Sequence, residues 1–324
     1  MIEKIAQYSI TERRALFTEA SNNLKMNAEM VEKDFWVCWT LNRLFSNNEL
    51  SKILRFKGGT SLSKVFHLIE RFSEDIDLIL DWNTVSDGKE IYKDTKNQQN
   101  KRNEQLLENS QLFISTVLKD KISVLVGDIC KVEIDEADKN NLQIWYPKGI
   151  SGNYLLPFIK LEIGPLAAWM PNKTYSITPY INNLSSKLQF EDISVPTIVA
   201  ERTFWEKATI LHSEHFRIKV VPERYSRHYY DLYKMAQSKI KEEAFARLDL
   251  LKAVVEFKQT FYYTSWAHYE EATPKTFHLL PNEENIANLK QDYQRMQGMI
   301  FGDYPSFDEI LSSLKNLEEE INNL

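Results

Sequence analysis

A chain of 324 residues, 43% of them apolar, is long enough for one large domain or two moderate ones and buries a sizeable core. Its formal net charge of −6 excludes a basic coat over the whole surface, though not a local basic patch. Two cysteines, Cys38 and Cys130, exclude a disulfide scaffold or Cys-rich zinc site; no secretory pattern opens the chain and no run nears the roughly 20 apolar residues that cross a bilayer, so a cytoplasmic, membrane-free protein is expected.

Residues 1 to about 50 read as a helical lead-in, with Met30, Phe35, Cys38, Leu41 and Leu44 on one face and Thr11 capping an earlier helix. ILRFKGG (53–59) reads as a strand stopping at two glycines, followed by a helix from Thr60 or Ser61 to Arg71. IDLIL (76–80) is a second strand, and the polar stretch 83–105 a loop leading into a helix from about 101 to 119. SVLVG (123–127), CKVEID (130–135), LQIWY (142–146) and FIKLEIG (158–164) have strand composition, and Pro179 makes YSITPYI (175–181) an edge piece. Beyond Pro196 the pattern is helical, from Thr197 to about His215 and then over 227–240, 242–264, 283–300 and 306–322. The expected fold is α+β: a mixed-sheet core flanked by helices within 1–195 (lead-in 1–50, core 51–195), then an all-helical domain, 196–324.

The run KGGTSLSKVFHLIERFSEDIDL (57–78) carries the chemistry. Glycines at a strand end let a ligand approach closely, and the first amides of the next helix favour an anion. A phosphate cradle would use Lys57, Gly58, Gly59, Thr60, Ser61 and Lys64. Asp75 and Asp77, two apart on a strand, leave the same face and repel each other unless a cation joins them; magnesium or manganese suits such oxygen ligands. Glu162 is the candidate third ligand, sharing a face with Lys160, although a structural Lys160–Glu162 pair explains the pattern equally well. Each motif alone has a structural explanation; their combination favours phosphate–metal chemistry.

Lys207 on one helix offers a cation for phosphates, and Asp231 on another would orient Lys207 or an arginine; as isolated residues, ordinary surface charge explains both. The basic run from Arg202 to Lys234 reads as a solvated face. His212 and His215 have no Cys nearby, which disfavours zinc, and the aromatics of FYYTSWAHYE (261–270) read as core, with base stacking as the alternative.

Taken together, VEKDFWVCWTLNRLF (31–45), RFKGGTSLSKVF (55–66), RFSEDIDL (71–78), FIKLEIG (158–164), ERTFWEKATILH (201–212) and RHYYDLYKM (227–235) resemble, in order, the AbiEii/AbiGii toxin family of polymerase-beta-like nucleotidyltransferases. The resemblance implies a nucleotidyltransferase-like core. Gly59, Ser61, Asp75 and Asp77 fall on the family's first motif, Lys160 and Glu162 on its second (with Glu in place of Asp), and Lys207 and Asp231 on its third. An arginine that relatives often carry after the second motif is absent, since the chain reads Gly164–Pro165–Leu166. It further implies a nucleoside triphosphate substrate, a divalent metal, a toxin role with a cognate antitoxin encoded nearby, and an acceptor such as the 3′ end of tRNA, for which the basic run would be a backbone contact. A nucleotide- or partner-binding protein without turnover, and a transferase acting on a protein or small-molecule hydroxyl, stay open beside this.

Overall fold

A computed structural model of the protein describes residues 1–152, 155–182, 184 and 188–324. The chain forms two compact units: Met1–Val65, Ser73–Ile91 and Lys101–Ile198 make the first, and Phe66–Phe72, Tyr92–Asn100 and Val199–Leu324 the second.

The first unit opens with α1 (Ile2–Ala6), α2 (Ile10–Leu24) and α3 (Ala28–Phe45), followed by the single turn α4 (Leu50–Ile53). Ser9, rather than Thr11, caps α2: its hydroxyl accepts from the Glu12 amide while Glu12 reaches back to the Ser9 amide, closing a capping box. After β1 (Leu54–Lys57), α5 begins at Gly58 and ends at Lys64, far short of Arg71. Then follow β2 (Ile76–Leu80), α6 (Lys96–Phe113, whose first five residues count with the second unit), α7 (Lys119–Val126), β3 (Lys131–Ile134), β4 (Asn141–Trp145), β5 (Phe158–Gly164), β6 (Asn172–Ile177) and β7 (Ile193–Ile198).

Two segments depart from the sequence-based expectation. Residues 123–127 have the composition of a strand, but a π-helical segment, Ile114–Leu118, carries the helix of α6 straight into α7. Ile122 and Val126, four apart, are buried while Val124 is 82% exposed, so packing at helical spacing overrides β-branched composition. The helix expected directly after Pro196 starts later: residues 193–198 form β7, and the helix begins at Ala200. Proline is tolerated there because β7 pairs with β6 along its length but meets β1 at Phe56↔Thr197, past the proline.

The seven strands form one mixed sheet in the order β3-β4-β5-β2-β1-β7-β6. β6 therefore lies at an edge and stops before Pro179. One face of the sheet is apolar: Phe56, Ile76, Leu78, Ile159, Leu161, Ile163, Leu142 and Ile144 are buried against a helical layer that includes α3. Nearly every residue of α3 is itself buried, as befits a helix inside the layer. The other face carries the polar side chains.

The second unit is helical: α8 (Ala200–His215), α9 (Ser226–Ala236), α10 (Ile240–Phe245), α11 (Leu248–Phe261), α12 (Glu283–Met296) and α13 (Phe307–Asn322). Phe307, Ile310, Leu314, Leu317 and Ile321 give α13 a buried stripe at three- and four-residue spacing, and Ser306 with Glu309 boxes its start. No helix among the described residues is long and apolar enough to cross a membrane.

Candidate active site

Strand register assembles a polar row on the open face of the sheet. Lys57 of β1 stands opposite Asp77 of β2, Asp77 beside Glu162 of β5, and Glu162 opposite Asn141 of β4. Register partners share a face, so four strands contribute to one line. Asp75 precedes β2 by one residue and lies close enough to Glu162, Glu74 and Asp77 to feel their charge.

Gly58 has φ +82°, and a Cβ there would fall 1.9 Å from Asp77 Oδ2. The space opened by the glycine is thus filled by the Asp77 carboxylate, not kept for an incoming ligand. Thr60 donates its hydroxyl to the Asp75 carbonyl, tying α5 to the entrance of β2. Ser61 is buried and donates to the Gly58 carbonyl at 2.8 Å. Lys64 is buried as well, 2.7 Å from Asp34 and 2.9 Å from the Thr178 carbonyl; burial pulls its pKa down, but Asp34 more than restores it, leaving it raised. In this conformation Ser61 and Lys64 therefore serve the interior.

The acids show how a cation would be received. Asp75 Oδ1 is buried without a hydrogen-bond partner among the described residues. Burial, then the charges of Glu162, Glu74 and Asp77, push the Asp75 carboxyl up to about 6. An orphaned, crowded carboxylate of this kind fits a hard divalent cation. Lys160 partly neutralises the group, with Nζ 2.6 Å from Glu162 Oε1, so the Lys160–Glu162 pair weighed from sequence is formed, and Glu162 would have to leave it to bind metal. Asp75, Asp77 and Glu162 do not bring their ligand atoms within 4.8 Å of one another; among the described residues that holds for His268, Glu270 and Glu271, a surface group in which His268 Nδ1 already pairs with Glu271.

Three consecutive charges on α3, which sequence reasoning passed over, hold the surroundings of this face in place. Glu32 accepts from the amides of Gly149 and Ile150 at 2.7 and 2.9 Å. Lys33, fully buried, donates to Glu74 at 3.0 Å and to the carbonyls of Leu156 and Phe158. Asp34 takes Lys64 and the Tyr180 amide. The signal was there: E-K-D inside an apolar helical run demands partners.

The second unit holds Lys207 and Asp231. Lys207 Nζ lies 2.7 Å from Asp231 Oδ2 and 3.1 Å from His228 Nδ1. Arg71 forks onto the same carboxylate, Nε to Oδ1 at 2.7 Å and Nη2 to Oδ2 at 2.8 Å. Burial alone would raise the Asp231 pKa, but the two cations hold it far below the usual carboxylate range; Lys207 is lowered, by burial first. Neither residue is ordinary surface charge. Four of the seven cations in the basic run are tied to acids: Arg202 to Glu206, Lys207 to Asp231, Arg217 to Glu214 and Lys234 to Glu70. The run is therefore not a uniformly solvated basic face: Arg202 and Lys207 are buried, while the Lys234–Glu70 pair is partly exposed.

His212 uses both ring nitrogens on backbone, contacting the His268 carbonyl and the His278 amide, and His215 stacks on His278. The stretch 261–270 bears out the core expectation at Phe261 and Tyr269, which are buried, and corrects it at the rings between them. Helix α11 ends at Phe261, and Tyr262, Tyr263 and Trp266 are 47, 45 and 37% exposed. A cation sits over each ring: Lys258 over Tyr262, Lys96 over Tyr263 and Arg217 over Trp266.

Comparison with known proteins bears on identity. The solved structure of MenT4, a nucleotidyltransferase toxin from Mycobacterium tuberculosis H37Rv, is 14% identical, with a TM-score of 0.44 over 96% of this chain and 97% of that one. None of the curated proteins matches the chain. The family model described as "Nucleotidyl transferase AbiEii toxin, Type IV TA system" matches residues 39–313, a span that takes in the acid row, Lys207 and Asp231. The chain belongs to the AbiEii family of nucleotidyltransferase toxins.

Proposed function

We propose that this nucleotidyltransferase moves a nucleoside monophosphate from a nucleoside triphosphate to RNA, at the 3′ end of tRNA. The attacking 3′-oxygen would form a bond to the α-phosphorus as the α–β bridging bond breaks; pyrophosphate leaves, and the hydroxyl proton passes to water. The observation that carries the reading is the acid row, with Asp75 Oδ1 orphaned beside Asp77 and Glu162. Asp75 and Asp77 would hold Mg2+ or Mn2+, with Glu162 joining on release from Lys160. When bound, such ions neutralise charge on the attacking and leaving oxygens.

The residues would divide the remaining work. Lys57, Gly59 and Lys160 would meet the nucleotide, with Gly58 giving room to the Asp77 carboxylate beside them, while Thr60, Ser61 and Lys64 brace the start of α5 from inside. In the helical unit, Lys207 and Arg71 meet on the Asp231 carboxylate, and Lys207 is the cation that this reading assigns to the triphosphate. The three exposed rings with cations support an acceptor that carries bases. In this reading the catalytic core lies within 51–195 and the helical domain is 196–324. The enzyme acts in the cytoplasm and is restrained by a cognate antitoxin encoded nearby.

The test is incubation with each labelled nucleotide, magnesium and total cellular RNA, resolved on a gel. A labelled band at tRNA size supports the reading. Pyrophosphate release with the label on protein or a small molecule would replace the acceptor, and nucleotide binding without release would remove turnover.

A further inference from the structure

We infer that His228 and Arg71 are positioning residues for Lys207: His228 Nδ1 accepts one of its N–H bonds, and Arg71 fixes the carboxylate that accepts another. This rests on the proposed role of Lys207 toward the triphosphate.

An ammonium carries three donors and no acceptor. One N–H points to Asp231 Oδ2 at 2.7 Å and a second to His228 Nδ1 at 3.1 Å. Two fixed acceptors define where the third N–H points, and that is the bond a phosphate oxygen would take. Asp231 can act as a fixed acceptor because Arg71 grips both of its oxygens, at 2.7 and 2.8 Å, and so sets the plane of the carboxylate. The Arg71→Lys variant would lack that fork.

The imidazole is constrained just as tightly. A nitrogen that accepts from an ammonium has its lone pair free, so His228 is neutral and carries its proton on Nε2. Its charged neighbours are Lys207, Arg227 and Arg71 against Asp231. Burial first, then the three cations, hold its pKa well below the usual value, which agrees with the acceptor role the geometry gives Nδ1. Arg71 lies in RFSEDIDL, and His228 three residues before Asp231 in RHYYDLYKM; neither stood out by residue type alone.

Two variants of the full chain separate positioning from mere packing. The His228→Asn substitution would place a side-chain oxygen near the site of Nδ1, whereas His228→Gln reaches toward Nε2. We expect His228→Asn to keep turnover within about threefold, and His228→Gln to lose about 10- to 100-fold in kcat with little change in KM for the triphosphate. Arg71→Lys should lose about tenfold in kcat. Equal losses in the Asn and Gln variants, or a loss confined to KM, would overturn the inference. Nitrogen-15 NMR of the histidines gives a readout independent of turnover. Nδ1 of His228 should be unprotonated and Nε2 protonated at neutral pH, and the signals should move in Lys207→Met. A protonated Nδ1, or no response to Lys207→Met, would overturn it equally. Wild-type protein with that nitrogen signature but no transferase activity would remove the proposed function and uphold His228 as the acceptor.

Discussion

The Asp77 carboxylate rests against Gly58, so closely that a Cβ on residue 58 would lie 1.9 Å from Oδ2. The glycine that ends β1 thus shapes the acid row itself, and its positive φ adds a second reason for its identity.

Gly58→Ala should therefore act twice. It strains the backbone by about 1–3 kcal/mol and forces Asp77 out of line. A lower Tm and a nucleotide transfer rate reduced more than tenfold are expected. Unchanged transfer would mean that the position of Asp77 is immaterial.

Asp75 gives the metal-free protein a pH signature. Its folded pKa of about 6 lies above the ordinary carboxylate value, so the folded state binds this proton more tightly than the unfolded state. Its contribution to stability is greatest below about pH 4 and falls as pH rises through about 6, by on the order of 3 kcal/mol. Denaturation in chelator across that window should show the fall, and Asp75→Asn should remove it and be the more stable protein at pH 7. Added magnesium should offset the loss at the upper end. A variant with the same pH slope as wild type would contradict the environment described for Asp75.

The Lys33–Glu74 pair is buried on both sides. Lys33→Met removes the buried ammonium from Glu74 and should cost about 3–5 kcal/mol in chemical denaturation, while Lys33→Met with Glu74→Gln should recover part of that. Additive losses would show that the two residues act separately.

Removing the exposed rings tests the acceptor. Tyr262→Ala, Tyr263→Ala and Trp266→Ala should each weaken binding of single-stranded RNA by about 1–3 kcal/mol, read by fluorescence anisotropy, with stability changed by about 0.5 kcal/mol or less. Unaltered RNA affinity in all three would point to a different acceptor surface.

Much of this arrangement was legible in the sequence. The strands that carry Lys57, Asp77 and Glu162 and the helical C-terminal third follow from alternation and helical period, and the structure has a mixed sheet followed by helices, but the glycine read as space for a ligand gives its room to Asp77. Residues 123–127 misled because Val-rich composition says strand, while continuity with α6 says helix. Pro196 misled because a proline suits the approach to a helix, so the helix was expected from Thr197, yet β7 runs through the proline. The Lys207–Asp231 pair expected from sequence is formed, whereas Asp34 under Lys64, Arg71 as the arginine on Asp231, and His228 on Lys207 were hidden, because a charge shows its burial and its partners only once the chain has folded. The E-K-D triplet of α3 was the readable exception, and its cost of burial was the clue.

The most direct measurement is transfer of labelled nucleotide by Asp77→Asn in magnesium, alongside circular dichroism and Tm. The substitution keeps shape and removes charge, so the variant should stay folded and transfer at less than about one-hundredth of the wild-type rate. Folded Asp77→Asn working at the wild-type rate would show that the acid row does not carry the chemistry.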